Sequence, residues 1–494
     1  MSVHGFDHGD VLSAQNMTRE TGLVNGGDCL GPSCWVVSGR YSSRLLERGQ
    51  RFIRREKCCW QPGRRDVSGQ VADDQAVLDI EVDIVIVGGG PQGLWVLELL
   101  REKGFACVLL EKAAAGAGQS AHAEWFLHRG SVFRKQTPIV EHLNPSARLW
   151  ETHLANKQIA ENAIAARNSY VAFSAATAPL SLLLQWEDWG MELAELSRPF
   201  PPPFERSPAI QCLIRTGEMS IHPTPVLERF AADHDAFFIQ FQGQISFCKN
   251  GGVITAVEAT RIATGERLRI KPQIVILAAG AGNADLLEAI SPEARDAARS
   301  STGPPVYQRQ RFGTLLLIRD RDGAVLERAN AFFWESRDLL VIYREDGPGR
   351  LWLVSTADSW RKPADPEPNE GELRECVQAI WKTLVGAFPN VEEARDLLEF
   401  TVSTGALIEP NHLSEVSNLQ IFQNPSNLAA LFPQRLTLAP RWATQVCAWL
   451  AESGVHPRVD AAELALNGLS RIPIASPPWR ERFLSFDHFH RDFL

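Results

Sequence analysis

No apolar run among the 494 residues approaches the roughly 18–20 that a membrane-spanning helix needs, and the first residues lack a signal peptide's apolar core. Positive charge is also short. Fifty Lys and Arg face 59 Asp and Glu, a formal net charge of -9, which argues against a general nucleic-acid surface. The nine cysteines are scattered, odd in number and contain no CxxC pair, so neither a disulfide framework nor a redox dithiol is expected. Cys29, Cys34, Cys58 and Cys59 match no common zinc spacing, and no metal site is expected. These absences leave a soluble protein of a reducing, cytoplasmic setting as the expectation.

Residues 1–78 carry little periodic hydrophobicity. They are rich in Gly, Ser, Asp and Arg, and read as a poorly structured extension. Asp7, Asp10, Glu20 and Asp28 disfavour a transit peptide, which would avoid acids.

What is present begins at Val82. The run VDIVIV is β-branched and apolar, as a buried parallel strand requires. Gly88, Gly90 and Gly93 follow in GxGxxG spacing, then a helical stretch from Leu94 to Gly104 and a second strand, Ala106–Leu110, ending in Glu111. Each part has a physical task. Gly88 permits the tight turn, Gly90 lets backbone approach a pyrophosphate, and Gly93 lets the helix sit on the strand. The helix N-terminus offers unpaired N–H groups to phosphate. Glu111, roughly 20 residues after the glycines, is placed to accept from ribose hydroxyls. Strand, glycines, helix, strand and acid in this order predict a dinucleotide site.

Further on, Asn144–Gln211 is helical in flavour, Glu218–His222 reads as a short strand, and Pro223–His234 as a helix. A hairpin over Val253–Arg269 turns at Thr264-Gly265. Gln273–Ala279 repeats the buried-strand signature and runs into Gly280-Ala281-Gly282. Strands are expected at Phe312–Ile318, Ala331–Trp334, Leu339–Tyr343 and Leu351–Val354, followed by a helix over Glu370–Phe388. Leu428–Glu452 gives a strand, a turn and a helix starting near Pro440, and the aromatic tail Trp479–Leu494 is expected to pack onto a domain or partner.

Three pieces in order, VDIVIVGGGPQG…LLEK, IVILAAGAGN and QRLTLAPRWA, resemble the D-amino-acid oxidase superfamily of FAD-dependent oxidoreductases, with their glutathione-reductase-type FAD fold. The resemblance implies an α/β protein: a Rossmann-like FAD domain (79–143, 218–303, 404–454) interrupted by an antiparallel α+β substrate domain (144–217, 304–403), with 455–494 as a tail. It implies FAD held by Gly88, Gly90, Pro91, Gln92, Gly93, Glu111, Lys112, Gln119, Ser120, Ala279, Gly280, Gly282, Arg435, Leu436 and Thr437. The run Gln119-Ser120-x-His122…His128-x-Gly130 further resembles branches oxidising 2-hydroxy acids or glycerol phosphate. It is also similar to the segment where amine-oxidising relatives attach FAD covalently to histidine, with His122 at the matching position.

The implied reaction is oxidation of a C–N bond in a small amine or amino-acid-like substrate, with a C–OH substrate as the alternative. Oxygen or another acceptor would reoxidise the flavin. Arg435, beside a helix N-terminus near Ala439–Pro440, is a candidate to stabilise negative charge on the flavin. His122 or His128 could accept the substrate proton, and Arg129 or Arg134 could pair with a substrate carboxylate. The segment Phe432–Thr437 departs from the family by lacking glycine, which keeps open a catalytically degenerate flavoprotein acting as a scaffold. There is no second GxGxxG for a nicotinamide cofactor.

Overall fold

The structure, a computed structural model, describes residues 77–494 except 203, 235–236, 291–307, 335–338, 347–348, 360–367, 411–418, 433–434, 460–472, 478 and 480–481. The extension expected over 1–78 therefore lies outside the described residues but for its last two, which open the first strand.

That strand, Val77–Val87, is exposed at its start and fully buried from Val82 onward. Its neighbours explain why. Cys107–Glu111 and Arg267–Leu277 pair with it in parallel, one on each side. Phe238–Asn250 adds in parallel to Cys107–Glu111, and Leu428–Leu431 to Arg267–Leu277. A strand in the middle of a parallel sheet has helices over both faces, so both sets of side chains must be apolar. Phe238–Asn250, Val253–Arg261 and Arg267–Leu277 also run as an antiparallel meander, which returns the chain from the sheet's flank to its centre. Helix Pro91–Glu102 covers one face and packs against helix Ala439–Glu452. Leu94, Leu97, Leu100, Trp442 and Val446 are fully buried there, each worth about 1.5–3 kcal/mol in area removed from water.

A second, nine-stranded sheet includes Ser169–Phe173, Cys212–Thr216, Gln308–Asp320, Asn330–Phe333, Leu339–Asp346, Gly349–Ser355 and Glu399–Pro410. Its strands alternate strictly. Leu316, Val341, Tyr343, Trp352 and Val354 turn to helix Glu370–Ala387, while Leu315, Leu340, Ile342, Leu351 and Leu353 belong to the core shared with helices Pro91–Glu102 and Ala439–Glu452. One face thus holds its own helix and the other shares the core of the parallel sheet's helices. Asn369 caps that helix reciprocally with Glu372, the capping box its sequence encodes.

One expectation changes. The region 144–211 is not simply helical: helices Val140–Asn156 and Leu180–Asp188 alternate with strands Ile164–Ala166, Ser169–Phe173 and Leu193–Leu196. Ser169–Phe173 is completed by a parallel partner, Asn330–Phe333, some 160 positions away. Local pattern cannot report such a partner. The tail does pack. Ala115 bridges Ile474, Trp479 is fully buried, and helix Phe486–Phe493 lies against helix Glu370–Ala387.

Candidate active site

A cavity of about 580 Å³ opens at the carboxyl ends of the parallel strands, within the ~300–1,000 Å³ range of cofactor sites. Its floor is the glycine turn. Gly88 adopts φ +115°, and a Cβ there would sit 2.5 Å from the Ala278 carbonyl oxygen. A Cβ on Gly93 would lie 2.0 Å from the Gly88 oxygen, so helix and strand touch backbone to backbone. Gly90 instead faces the cavity, and a Cβ there would meet only Ser120 Oγ within 4 Å, at 3.6 Å. Helix Pro91–Glu102 starts at this turn with no side-chain cap and no acid in its first turn, leaving its N-terminal dipole to the cavity.

Glu111 stands beside the turn. Its carboxylate accepts from the Gly89 N–H at 2.6 Å and the Ala113 N–H at 2.9 Å. Lys112, Gln119 and Ser120 continue the wall. Gln92 and Gln119 both line the cavity, and their Nε2 groups are buried without a hydrogen-bond partner. On the other side Ala279, Gly280 and Gly282 close in from the end of Arg267–Leu277. Asn283, which sequence reasoning passed over, fixes this turn: it accepts from Ala279 N–H at 2.8 Å and donates to Leu431 O at 2.6 Å.

Arg435, Leu436 and Ala439 form the far wall, where helix Ala439–Glu452 begins, again without a side-chain cap. The Arg435 guanidinium lies 5.1 Å over the Phe133 ring. Thr437 is buried behind the wall rather than in it. Further lining comes from Phe241, Gln244 and Ile245 in the meander and from Trp125, none of which carries a sequence motif. Trp125 holds φ +50°, costly for a bulky residue, and its indole donates to Ser120 O at 2.7 Å.

The other expected residues lie outside this lining. His128 is fully buried, stacked between Phe126 and Phe133 at ring distances of 6.3 and 5.7 Å. Burial, reinforced by the nearby Arg435 charge, holds its imidazole well below the usual range and therefore neutral. His122 packs edge-on against Trp479 at 6.2 Å, and burial, with Arg482, lowers it to about 4. The Arg129 guanidinium pairs with Glu151, and that of Arg134 donates to Trp334 O at 2.8 Å on the exposed side. The sequence suggests roles for these four at the flavin and the substrate; none of them is in the lining of this cavity. Arg344, fully buried on the second sheet, touches the lining directly by donating to Ala123 O at 3.0 Å. Among the described residues no group of three or more His, Cys, Asp or Glu is placed to hold a metal, and no helix is long and apolar enough to cross a membrane.

Residues 83–430 match the family of FAD dependent oxidoreductases that includes D-amino-acid oxidase (DAO). The chain belongs to this family. An FAD-dependent oxidoreductase of Pseudomonas aeruginosa, PA4991, is 26% identical over 437 residues, covering 82% of this chain and 99% of the relative. Its crystal structure superposes with a TM-score of 0.60 at 21% identity, over 82% of this chain and 99% of that one. Glycine oxidase of Bacillus cereus gives 0.56 at 16% identity, covering 80% and 100%. An L-amino acid deaminase of Proteus vulgaris gives 0.54 at 14%, covering 80% and 96%. The protein is thus an oxidoreductase with FAD as its cofactor. The site agrees: an open glycine turn and two uncapped helix N-termini suit a pyrophosphate and an anionic ring edge, and the buried amides of Gln92 and Gln119 suit its acceptors.

Proposed function

We propose that this FAD-dependent oxidoreductase oxidises a C–N bond of a small amine or amino-acid-like substrate. The observation that carries the reading is the far wall of the cavity, where Arg435 and the start of helix Ala439–Glu452 stand beside a buried, uncharged His128. FAD, when bound, supplies the two-electron acceptor for a hydride. The chain's own residues supply the rest. The glycine turn and Glu111 hold the dinucleotide, and Arg435 with the helix N-terminus favours negative charge at the opposite end. The substrate's free amine is the form whose nitrogen lone pair assists departure of hydride from the adjacent carbon.

Two similar structures support nitrogen over oxygen, since glycine oxidase and L-amino acid deaminase are both named for amino acids. The cofactor is proposed to be held noncovalently, because His122 does not line the cavity. The test is anaerobic mixing of the holoprotein with a panel of amines and amino acids and a matched panel of 2-hydroxy acids. Bleaching of the long-wavelength flavin band by the nitrogen panel alone is the expected result. Bleaching by the hydroxy acids alone would move the assignment to C–OH oxidation.

A further inference from the structure

Glu218 is buried at 1% exposure and plays no part in the cavity lining. Its carboxylate nevertheless accepts five hydrogen bonds. Oε1 takes three successive backbone N–H groups, of Arg129 at 2.7 Å, Gly130 at 3.1 Å and Ser131 at 3.1 Å. Oε2 takes the hydroxyls of Ser131 and, at 3.1 Å, Thr216. Three consecutive N–H groups converging on one oxygen form a small anion nest, here filled by the protein's own carboxylate. The neighbouring Arg129 guanidinium pairs with Glu151, while the Glu218 carboxylate is held by these five hydrogen bonds.

The gripped residues separate the two rings that matter. His128 immediately precedes them, and Phe133 follows, its N–H donating to Gly130 O at 2.9 Å. His128 stacks on Phe133 at an interplanar angle of 22°, and Phe133 in turn lies under the Arg435 guanidinium. Gly130 has φ +132°, and a Cβ there would meet the Trp189 ring at 3.0 Å, so the loop's conformation and packing require glycine at this position. A continuous path therefore runs from Glu218 through the Arg129–Ser131 backbone and the stacked rings to the guanidinium on the cavity wall.

We propose that Glu218 is a positioning residue which, by clamping the Arg129–Ser131 loop, sets Arg435 against the flavin and thereby tunes the reduction potential of bound FAD. This rests on placing the flavin ring at the Arg435 end of the cavity. Two opposed charge effects give the shift its sign. Deleting a buried anion would by itself make the flavin easier to reduce, whereas releasing Arg435 makes it harder, and the positioning role requires the second to win.

The experiment is the midpoint potential of FAD in the purified holoprotein, with circular dichroism and FAD affinity measured alongside. Glu218→Ala is expected to keep its FAD affinity within about threefold and to lower the equilibrium constant for FAD reduction about tenfold, a more negative potential. Glu218→Gln can still accept the three N–H groups and donate to Ser131 and Thr216, and is expected to stay at or just above the wild-type potential. A Glu218→Ala potential that is unchanged or more positive would overturn the proposal. If that variant does not fold, Ser131→Ala and Thr216→Val each remove one bond to Oε2; each is expected to shift the potential negatively by about two- to threefold in the reduction equilibrium. No shift in either would overturn it. Arg435→Lys is the reference: if it leaves the potential unmoved, the placement of the flavin fails instead.

Discussion

The carboxylate of Glu111 accepts a hydrogen bond of 2.6 Å from the backbone N–H of Gly89, inside the glycine turn itself. The acid that ends the second strand is therefore part of the turn's construction as well as of the cavity wall. Glu111→Ala leaves the Gly89 and Ala113 N–H groups without their acceptor and removes the hydrogen-bond acceptor for a ribose. It is expected to weaken FAD binding by roughly 10–100-fold, equivalent to about 1.4–2.7 kcal/mol. Fluorescence titration of apoprotein with FAD measures this, and an unchanged Kd would remove Glu111 from the site.

Two glycines three residues apart should fail in different ways. Gly93 has no room for a Cβ, since the Gly88 oxygen would lie 2.0 Å away, so Gly93→Ala is expected to push helix from strand and destabilise the apoprotein by several kcal/mol, on the order of 3. Gly90 has that room, facing only Ser120 Oγ at 3.6 Å. Gly90→Ala is expected to melt within a few degrees of wild type as apoprotein yet bind FAD poorly, because its methyl occupies the approach of the pyrophosphate. Thermal melts with and without FAD separate the two.

Acid should unfold this protein early. Burial lowers His122, His153 and His222 each to about 4, below the 6.5 of an unfolded chain. A depressed histidine is neutral when folded and protonated when unfolded between those values. Its contribution is thus present above about pH 6.5 and lost as pH falls toward 4, at up to about 1.4 kcal/mol per pH unit per histidine. Chemical denaturation at pH 7.5, 6 and 5 is expected to show a steep decline. A flat profile would contradict the buried, neutral state of these rings.

Glu98 lies mid-way along helix Pro91–Glu102 and is buried at 1% exposure. Lys157 approaches it at 2.6 Å and His234 also pairs with it; despite burial, which acts in the opposite direction, these partners bring its carboxyl down to about 2. The pairs tie that helix to helix Pro223–His234 and to the end of helix Val140–Asn156. Glu98→Ala leaves His234 without this partner and Lys157 with Asp233 alone, at 2.8 Å, and is expected to cost about 2 kcal/mol, read from urea denaturation. A cost under about 1 kcal/mol would mean that the cluster is solvated and only loosely coupled.

The parts that were legible in the sequence are those whose signal is local. The Gly88–Gly93 turn, the buried strand ending in Glu111 and helix Pro223–His234 each carry their pattern within a dozen or so residues, and the fold matches them. Ser169–Phe173 is a strand because of Asn330–Phe333 and Cys212–Thr216, and nothing in a five-residue segment announces partners so distant. Phe241, Gln244 and Ile245 reach the cavity through a meander that crosses the sheet, without any motif. Glu218 is a single acid whose partners lie some 88 positions earlier, and only the folded loop gathers three N–H groups onto it.

The most direct test of the account is the absorption spectrum of the purified protein, repeated on supernatant and pellet after acid precipitation. The cavity from Gly90 to Arg435, with His122 outside its wall, predicts a two-banded yellow flavin spectrum released into the supernatant. Yellow retained in the pellet would contradict noncovalent binding and bring a covalent link to the protein into the site. A protein that stays colourless when FAD is added would contradict the account at its centre.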